Sequence, residues 1–247
     1  MTEITSRKNE FIRHLRLLAS ERVYRLEKGE FICDGLKLLR EAVQFGACVT
    51  GILWKEKPEE GFDCPVQYTS PAELFDYASP MKNSPGPVFT VKIPERDGGE
   101  ALKRAIVLEG VQDPGNVGTV IRTANAFGVD AVILTGDCAD LYNPKTVRST
   151  MGAIFRQKVL SVELDELPDL LKANKLPLYG AALTDSACSI LELDVKNAAV
   201  AVGSEGRGLS RRLLDMCHSA LIIPMEPDSE SLNAAVAASV IMWEMAR

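Results

Sequence analysis

Over residues 6–25 the apolar positions Phe11, Ile12, Leu15, Leu18 and Ala19 recur at the spacing of one helix face, which predicts a helix there. A short strand at 31–33, a helix at 35–45, strands at 49–54 and 66–69, a short helix after the cap-like Ser70 and a strand at 88–93 follow. This mixture predicts a small α/β domain over residues 1–94. Residues 94–100 are polar, hold a proline and two glycines and show no periodicity, so a linker is placed at 95–104. Beyond it, over 105–247, the alternation becomes regular. Apolar strands at 105–108, 131–134, 178–182, 198–202 and 220–223 are separated by helices at 115–127, 166–173 and 211–217. Continuous apolar strands between helices predict a mostly parallel sheet covered on both faces. The last helix, 232–245, is apolar nearly all round and needs burial on more than one side, in its own core or against a second subunit.

Composition narrows the class. The chain is 46% hydrophobic, enough for sizeable cores, and no run of eighteen apolar residues predicts a membrane span. Its first residues carry acids and helical spacing, unlike a signal peptide, so a cytosolic protein is expected. Six cysteines without a C-x-x-C pair fit reduced thiols. Two histidines without a partner at ligand spacing argue against zinc. A net charge of −6 argues mildly against nucleic acid, but the distribution points the other way. Residues 1–28 hold seven Lys/Arg (Arg7, Lys8, Arg13, Arg16, Arg22, Arg25 and Lys28) against four acids, a basic patch or a solvated helix face.

Three stretches could carry chemistry. In the first, a strand runs through Glu109-Gly110-Val111-Gln112-Asp113-Pro114-Gly115 into a helix bearing Asn116, Gly118 and Arg122. Such a helix start attracts anions, and polar residues there can face a crevice at strand ends. A plain strand-to-helix turn capped near Asp113 would look similar. In the second, Gly203-Ser204-Glu205-Gly206-Arg207-Gly208 sets three glycines around one carboxylate, either a loop folded over a ligand or a turn capped by Ser210. In the third, Ile223-Pro224-Met225 leads to Ser231-Leu232-Asn233 at the start of the last helix, where Ser231 suits the N-cap.

In this order the three stretches resemble the motifs of the SpoU/TrmH family of S-adenosylmethionine-dependent RNA ribose 2′-O-methyltransferases. The stretch from Asn143-Pro144-Lys145 to Phe155 resembles the family's segment between its first two motifs. Residues around Tyr24-Arg25 and Phe31-Ile32-Cys33-Asp34-Gly35 resemble its L30e-like RNA-binding domain. The resemblance implies an α/β protein whose C-terminal, mostly parallel sheet carries a trefoil knot, preceded by the small L30e-like domain. It implies a homodimer acting on structured RNA, ribosomal rather than transfer RNA, with no membrane association. Gly203, Ile223 and Leu232 match cofactor-contacting positions; Asn116, Arg122, Glu205, Ser231 and Asn233 match the polar active-site set. Arg122, a poor base because guanidinium stays protonated, would hold a phosphate and stabilise charge on the 2′-oxygen. Two departures stand out: Glu226-Pro227-Asp228 where many members have a glycine, and Asp34-Gly35 in place of Glu-Gly. An RNA-binding protein without methyl transfer is the competing reading, opposed by the intact polar set. A dinucleotide enzyme is opposed by the absence of G-x-G-x-x-G.

Overall fold

A computed structural model describes residues 1–57, 61–95, 101–184, 187–226 and 231–247. In chain order its elements are β1 (Thr2–Glu3), α1 (Glu10–Ser20), α2 (Arg22–Lys28), β2 (Glu30–Asp34), α3 (Leu36–Gln44), β3 (Val49–Trp54), β4 (Gln67–Thr69), α4 (Ala72–Ala78) and β5 (Val88–Lys92). Next come β6 (Ala105–Glu109), α5 (Pro114–Phe127), β7 (Ala131–Thr135), α6 (Pro144–Ser149), β8 (Lys158–Ser161), α7 (Leu167–Ala173) and β9 (Leu178–Ala181). The last are β10 (Cys188–Ser189), β11 (Ala199–Gly203), α8 (Arg211–Leu214), β12 (Ser219–Ile222) and α9 (Ala234–Ala246). Two compact units result, Met1–Glu95 with Asp140–Phe155, and Arg96–Ala139 with Arg156–Arg247. Half of the expected linker, residues 96–100, lies outside the described residues.

The first unit is a mixed five-stranded sheet in the order β1-β4-β3-β5-β2. The helix expected over 6–25 is two helices. Asn9 caps α1 by accepting from the Phe11 N–H, and Glu21, in extended conformation, separates α1 from α2. Ile12, Leu15 and Leu18 are fully buried, as the helical spacing predicts. Arg25, expected on the basic surface, is only 3% exposed. Its Nε and Nη2 donate to one carboxylate oxygen of Asp140 at 3.2 and 2.5 Å, and its Nη1 to the Leu18 carbonyl at 2.6 Å. Asp140 opens the stretch Asp140–Phe155, which the sequence pattern leaves with the larger domain. Phe31 explains its placement here, with the rings of Tyr142 and Phe155 centred 4.9 and 6.4 Å away. Asp34, the residue found in place of glutamate, ends β2 and accepts from Ser79 Oγ at 2.7 Å and Ser84 Oγ at 2.5 Å. Burial pushes its carboxyl upward, and the two hydroxyls oppose that shift.

The second unit is a seven-stranded, all-parallel sheet in the order β10-β12-β9-β11-β6-β7-β8. Ala105, Ile106, Val107 and Leu108 of β6 are fully buried, the signature of a strand covered on both faces. From β6 the chain first builds outward through β7 and β8; β11 and β9 lie on the other side. The order therefore reverses between β6 and β11. In open parallel sheets, ligands bind beyond the carboxyl ends of strands at such a reversal. Helix α5 begins with Asp113 as N-cap and Pro114 in its first turn, and ends at Gly128 in the left-handed region, φ 65°. Its buried face is Val117, Gly118, Val120, Ile121 and Ala124. α9 buries Ala234, Ala235, Ala238, Ile241, Met242 and Met245 and leaves Val236, Val240 and Trp243 exposed.

Candidate functional site

The carboxyl ends of β6 and β11 lie side by side, with Glu109 in register with Gly203. Past β11 the chain folds back sharply. Gly208, at φ 63°, donates its N–H to the Ser204 carbonyl at 2.8 Å. A Cβ on Gly203 would meet the Gly208 carbonyl carbon at 2.1 Å, so only glycine allows this close return of backbone on backbone. The loop displays Glu205 toward the starts of two helices. Its Oε1 accepts from Asn116 Nδ2 at 2.5 Å, Asn233 Nδ2 at 3.2 Å and the Ala234 N–H at 3.3 Å. Asn233 Nδ2 also reaches Asn116 Oδ1 at 3.2 Å. A carboxylate at a helix N-terminus is favoured by the free N–H groups there. Here it joins three chain segments that are far apart in sequence.

The first and last segments are held by their own caps. Asp113 Oδ1 accepts from the Asn116 N–H at 2.8 Å. Asn233 Oδ1 accepts from the N–H groups of Ala235 at 2.9 Å and Val236 at 3.3 Å. Asn233, and not Ser231, is therefore the N-cap of α9. The helix starts at Ala234, two residues later than the apolar pattern suggested, so a serine cap would be out of reach. Ser210, by contrast, does cap its helix, accepting from the Leu213 N–H at 3.1 Å.

Of the sequence-predicted polar set, Asn116, Glu205 and Asn233 come together, with Gly203 at the base of the loop. Ser231 is exposed two residues before the cap. Arg122 is exposed on α5 and holds no hydrogen bond or ion pair among the described residues. Six residues of helix turn through about 600°, which leaves Arg122 about 120° around the axis from Asn116. Ile223 and Leu232 are half-buried. The sheet ladders end at Ile222 and at Gly203, and beyond Gly203 only an isolated bridge, Ser204 to Gly208, continues the pairing. Main-chain donors and acceptors at the carboxyl ends of parallel strands, beside half-buried apolar side chains, suit a nucleoside such as the adenosine of S-adenosylmethionine. Residues 227–230, which include the Pro-Asp departure, lie outside the described residues.

One participant went unread in the sequence. Glu109 accepts from the Ser210 N–H at 2.7 Å and from Ser210 Oγ at 2.6 Å. A glutamate at the end of an apolar strand was the only signal. Its charge also reaches two thiols. Burial first and then Glu109 push Cys217 up to about 11, and burial raises Cys138, with Glu109 adding to it. Both thiols therefore stay protonated at neutral pH and are unsuited to act as nucleophiles. Among the described residues, no group of three His, Cys, Asp or Glu could hold a metal, and no helix is long and apolar enough to cross a membrane.

Residues 103–243 match the model of the SpoU rRNA Methylase family. The chain is 32% identical to the 23S rRNA (guanosine(2553)-2′-O)-methyltransferase RlmP of Bacillus subtilis, with 99% of each chain covered. It is 28% identical to the 23S rRNA (uridine(2479)-2′-O)-methyltransferase of Streptomyces viridochromogenes, over 99% of this chain and 91% of that one. Among solved structures it resembles the SpoU methyltransferase AviRb from Streptomyces viridochromogenes in complex with AdoMet. The TM-score is 0.85 at 26% identity, covering 96% of this chain and 98% of the other.

Proposed function

The chain belongs to the SpoU rRNA methylase family, and from that premise we propose that it methylates a ribose 2′-hydroxyl of ribosomal RNA at the crevice where Asn116, Glu205 and Asn233 meet. The observation that carries the location is the single Glu205 oxygen shared by both asparagines, at the strand-order reversal. S-adenosylmethionine, when bound, supplies an electrophilic methyl on a sulfonium that leaves as a neutral thioether. The protein's part is then to align the 2′-oxygen with that methyl and to stabilise the oxygen as it gives up its proton to solvent water. Gly203, Ile223 and Leu232 would hold the cofactor, mainly through the main chain. Glu205, engaged by three donors, fixes the two carboxamides rather than acting as a free base. Arg122 supplies the positive charge for the RNA phosphate and the developing oxyanion. Ser231, exposed just before the α9 cap, is left to contact substrate.

The relatives named for 23S rRNA support ribosomal rather than transfer RNA, and a ribosomal substrate supports a cytosolic reaction. The test is direct. The full chain is incubated with isotopically labelled S-adenosylmethionine and ribosomal or transfer RNA, and the digested nucleosides are separated. We expect label on a 2′-O-methyl nucleoside from ribosomal RNA. Label on a base, or on transfer RNA alone, would overturn the reading.

The first unit is proposed to grip RNA through Arg13, Arg16, Arg22 and Lys28, all exposed, while the buried Arg25 is withdrawn from that set. Replacing Arg13, Arg22 and Lys28 by alanine should weaken RNA binding and flatten its salt dependence by about one unit per lost phosphate contact. Affinity for S-adenosylmethionine should stay as it was. An unchanged salt slope would remove these residues from the interface.

We also propose a homodimer through α9. Val236, Val240 and Trp243 are 48%, 38% and 56% exposed and follow one another at helical spacing, an apolar stripe opposite the buried face of the helix. Trp243 is braced edge-on by Phe127 with ring centroids 5.6 Å apart. Val240→Glu places its charge on a surface that is open in one copy and dry in a dimer. It should yield folded monomers, raising the dimer Kd by about 100-fold or more. Light scattering that finds the unaltered chain monomeric at micromolar concentration would sink the proposal.

A further inference from the structure

The loop from Gly203 to Ser210 reaches the active-site cluster through Glu205, and two separate contacts hold it, one to the start of α5 and one to the end of β6. Asn116 grips Glu205 near its start. At its far end, Glu109 takes both donors of Ser210, the N–H at 2.7 Å and Oγ at 2.6 Å. Glu109 also stands opposite Gly203 in the ladder, so one residue adjoins both ends of the loop, by strand pairing at Gly203 and by its carboxylate at Ser210. Ser210 Oγ simultaneously caps α8, which ties the loop's exit to the start of a helix. Charge-assisted hydrogen bonds of this kind are short and directional. With its two ends fixed, the loop's freedom is confined to the turn that aims Glu205.

We propose that Glu109 is a positioning residue for methyl transfer, acting through the loop to hold Glu205 against Asn116 and Asn233. The inference rests on the reading of Glu205 as part of the active site. Glu109 is bonded to Ser210, and no bond joins it to the Asn116–Glu205–Asn233 cluster among the described residues, so its influence on chemistry passes through the geometry of Glu205.

A double-mutant cycle in the full-length protein tests this, with single-turnover rates at saturating S-adenosylmethionine and RNA. Glu109→Ala removes both acceptors and should slow methyl transfer about 10- to 100-fold, the size of a displacement near 1 Å in a catalytic group. In the Glu205→Ala background the same change should cost less than about twofold, because the group it positions is gone. Glu109→Gln keeps one acceptor for Ser210 and should recover part of the rate, again only when Glu205 is present. Should Glu109→Ala fail to fold, Glu109→Gln carries the same cycle. Equal losses with and without Glu205 would show a general structural role and overturn the proposal. A normal rate for Glu109→Ala beside a slow Glu205→Ala would overturn it while leaving the reading of Glu205 intact. A normal rate for Glu205→Ala would remove both.

Discussion

Asp140→Ala is expected to destabilise the first unit by about 3–5 kcal/mol, the cost of leaving a buried charge without its partner. Arg25 is 3% exposed, and two of its nitrogens converge on Asp140 while a third is occupied by the Leu18 carbonyl. With the carboxylate gone, water reaches the guanidinium poorly, and among the described residues no other acid is bonded to Arg25. The loss spreads along the segment. The other Asp140 carboxylate oxygen accepts from the Tyr142 N–H at 3.0 Å, a bond that the alanine change also removes. Asp140→Asn, which keeps an acceptor of the same shape, should cost less than the alanine change. Replacing Arg25 and Asp140 together by apolar residues of similar size should cost less than Asp140→Ala alone, because the penalty lies in the orphaned charge. Urea unfolding followed by circular dichroism would read these differences. A loss below about 0.5 kcal/mol for Asp140→Ala would mean the pair is solvated after all.

That pair also marks where the sequence stopped being legible. Arg25 belongs to a run of basic residues and reads as one more surface cation, because its partner is 115 residues away. Periodicity reports which face of a helix is apolar; it carries nothing about a distant acid that makes a charged residue buriable. The same limit applies to residues 140–155. Their local pattern is helical, but their partners, Phe31 above all, come from the first unit. The parallel sheet of the second unit was readable because strands buried on both faces are continuous apolar runs, as in Ala105–Glu109 and Ala131–Thr135. Very short strands such as β1 and β10, two residues each, carry no period and were missed.

At the site, glycine was the legible signal. Gly203 has a steric reason visible in the fold, and the polar residues near it in the motifs include three that meet. The choice of cap was not legible. Ser231 and Asn233 are both good N-cap types two positions apart, and the decision falls to where α9 begins its packing at Ala234 and Ala235. Glu109 was hidden for a related reason. A carboxylate at a strand end is ordinary until the serine it meets is known, and that serine lies 101 residues on.

Arg122→Ala is the change expected to cost most in catalysis, lowering kcat by about 10²–10³, the scale seen when one preorganised donor is removed. In an ordinary structural role, a surface arginine on a helix pairs with an acid a turn away or braces a loop. Arg122 does neither among the described residues; it is exposed and unbonded, with its helix held by the buried face from Val117 to Ala124. Removing it should therefore leave the melting temperature within a degree or two, since exposed sites away from such features change stability by about 0.5 kcal/mol at most. Affinity for S-adenosylmethionine should hold, because the proposed cofactor positions Gly203, Ile223 and Leu232 lie on other segments. The loss should appear when RNA is bound and charge gathers on the 2′-oxygen, in single-turnover rates at saturating cofactor and RNA. Arg122→Lys should recover little, because one ammonium cannot span a phosphate and the reacting oxygen as a planar guanidinium does. Its position about 120° around α5 from Asn116 sharpens the expectation: on the proposed reading Arg122 would approach the substrate from a different side than the carboxamide cluster, so the two should fail independently. Arg122→Ala combined with Asn116→Ala should show nearly additive losses in free energy, as separated contacts do. Turnover within about twofold of the unaltered protein, together with a lowered melting temperature, would assign Arg122 to the fold and remove it from the chemistry.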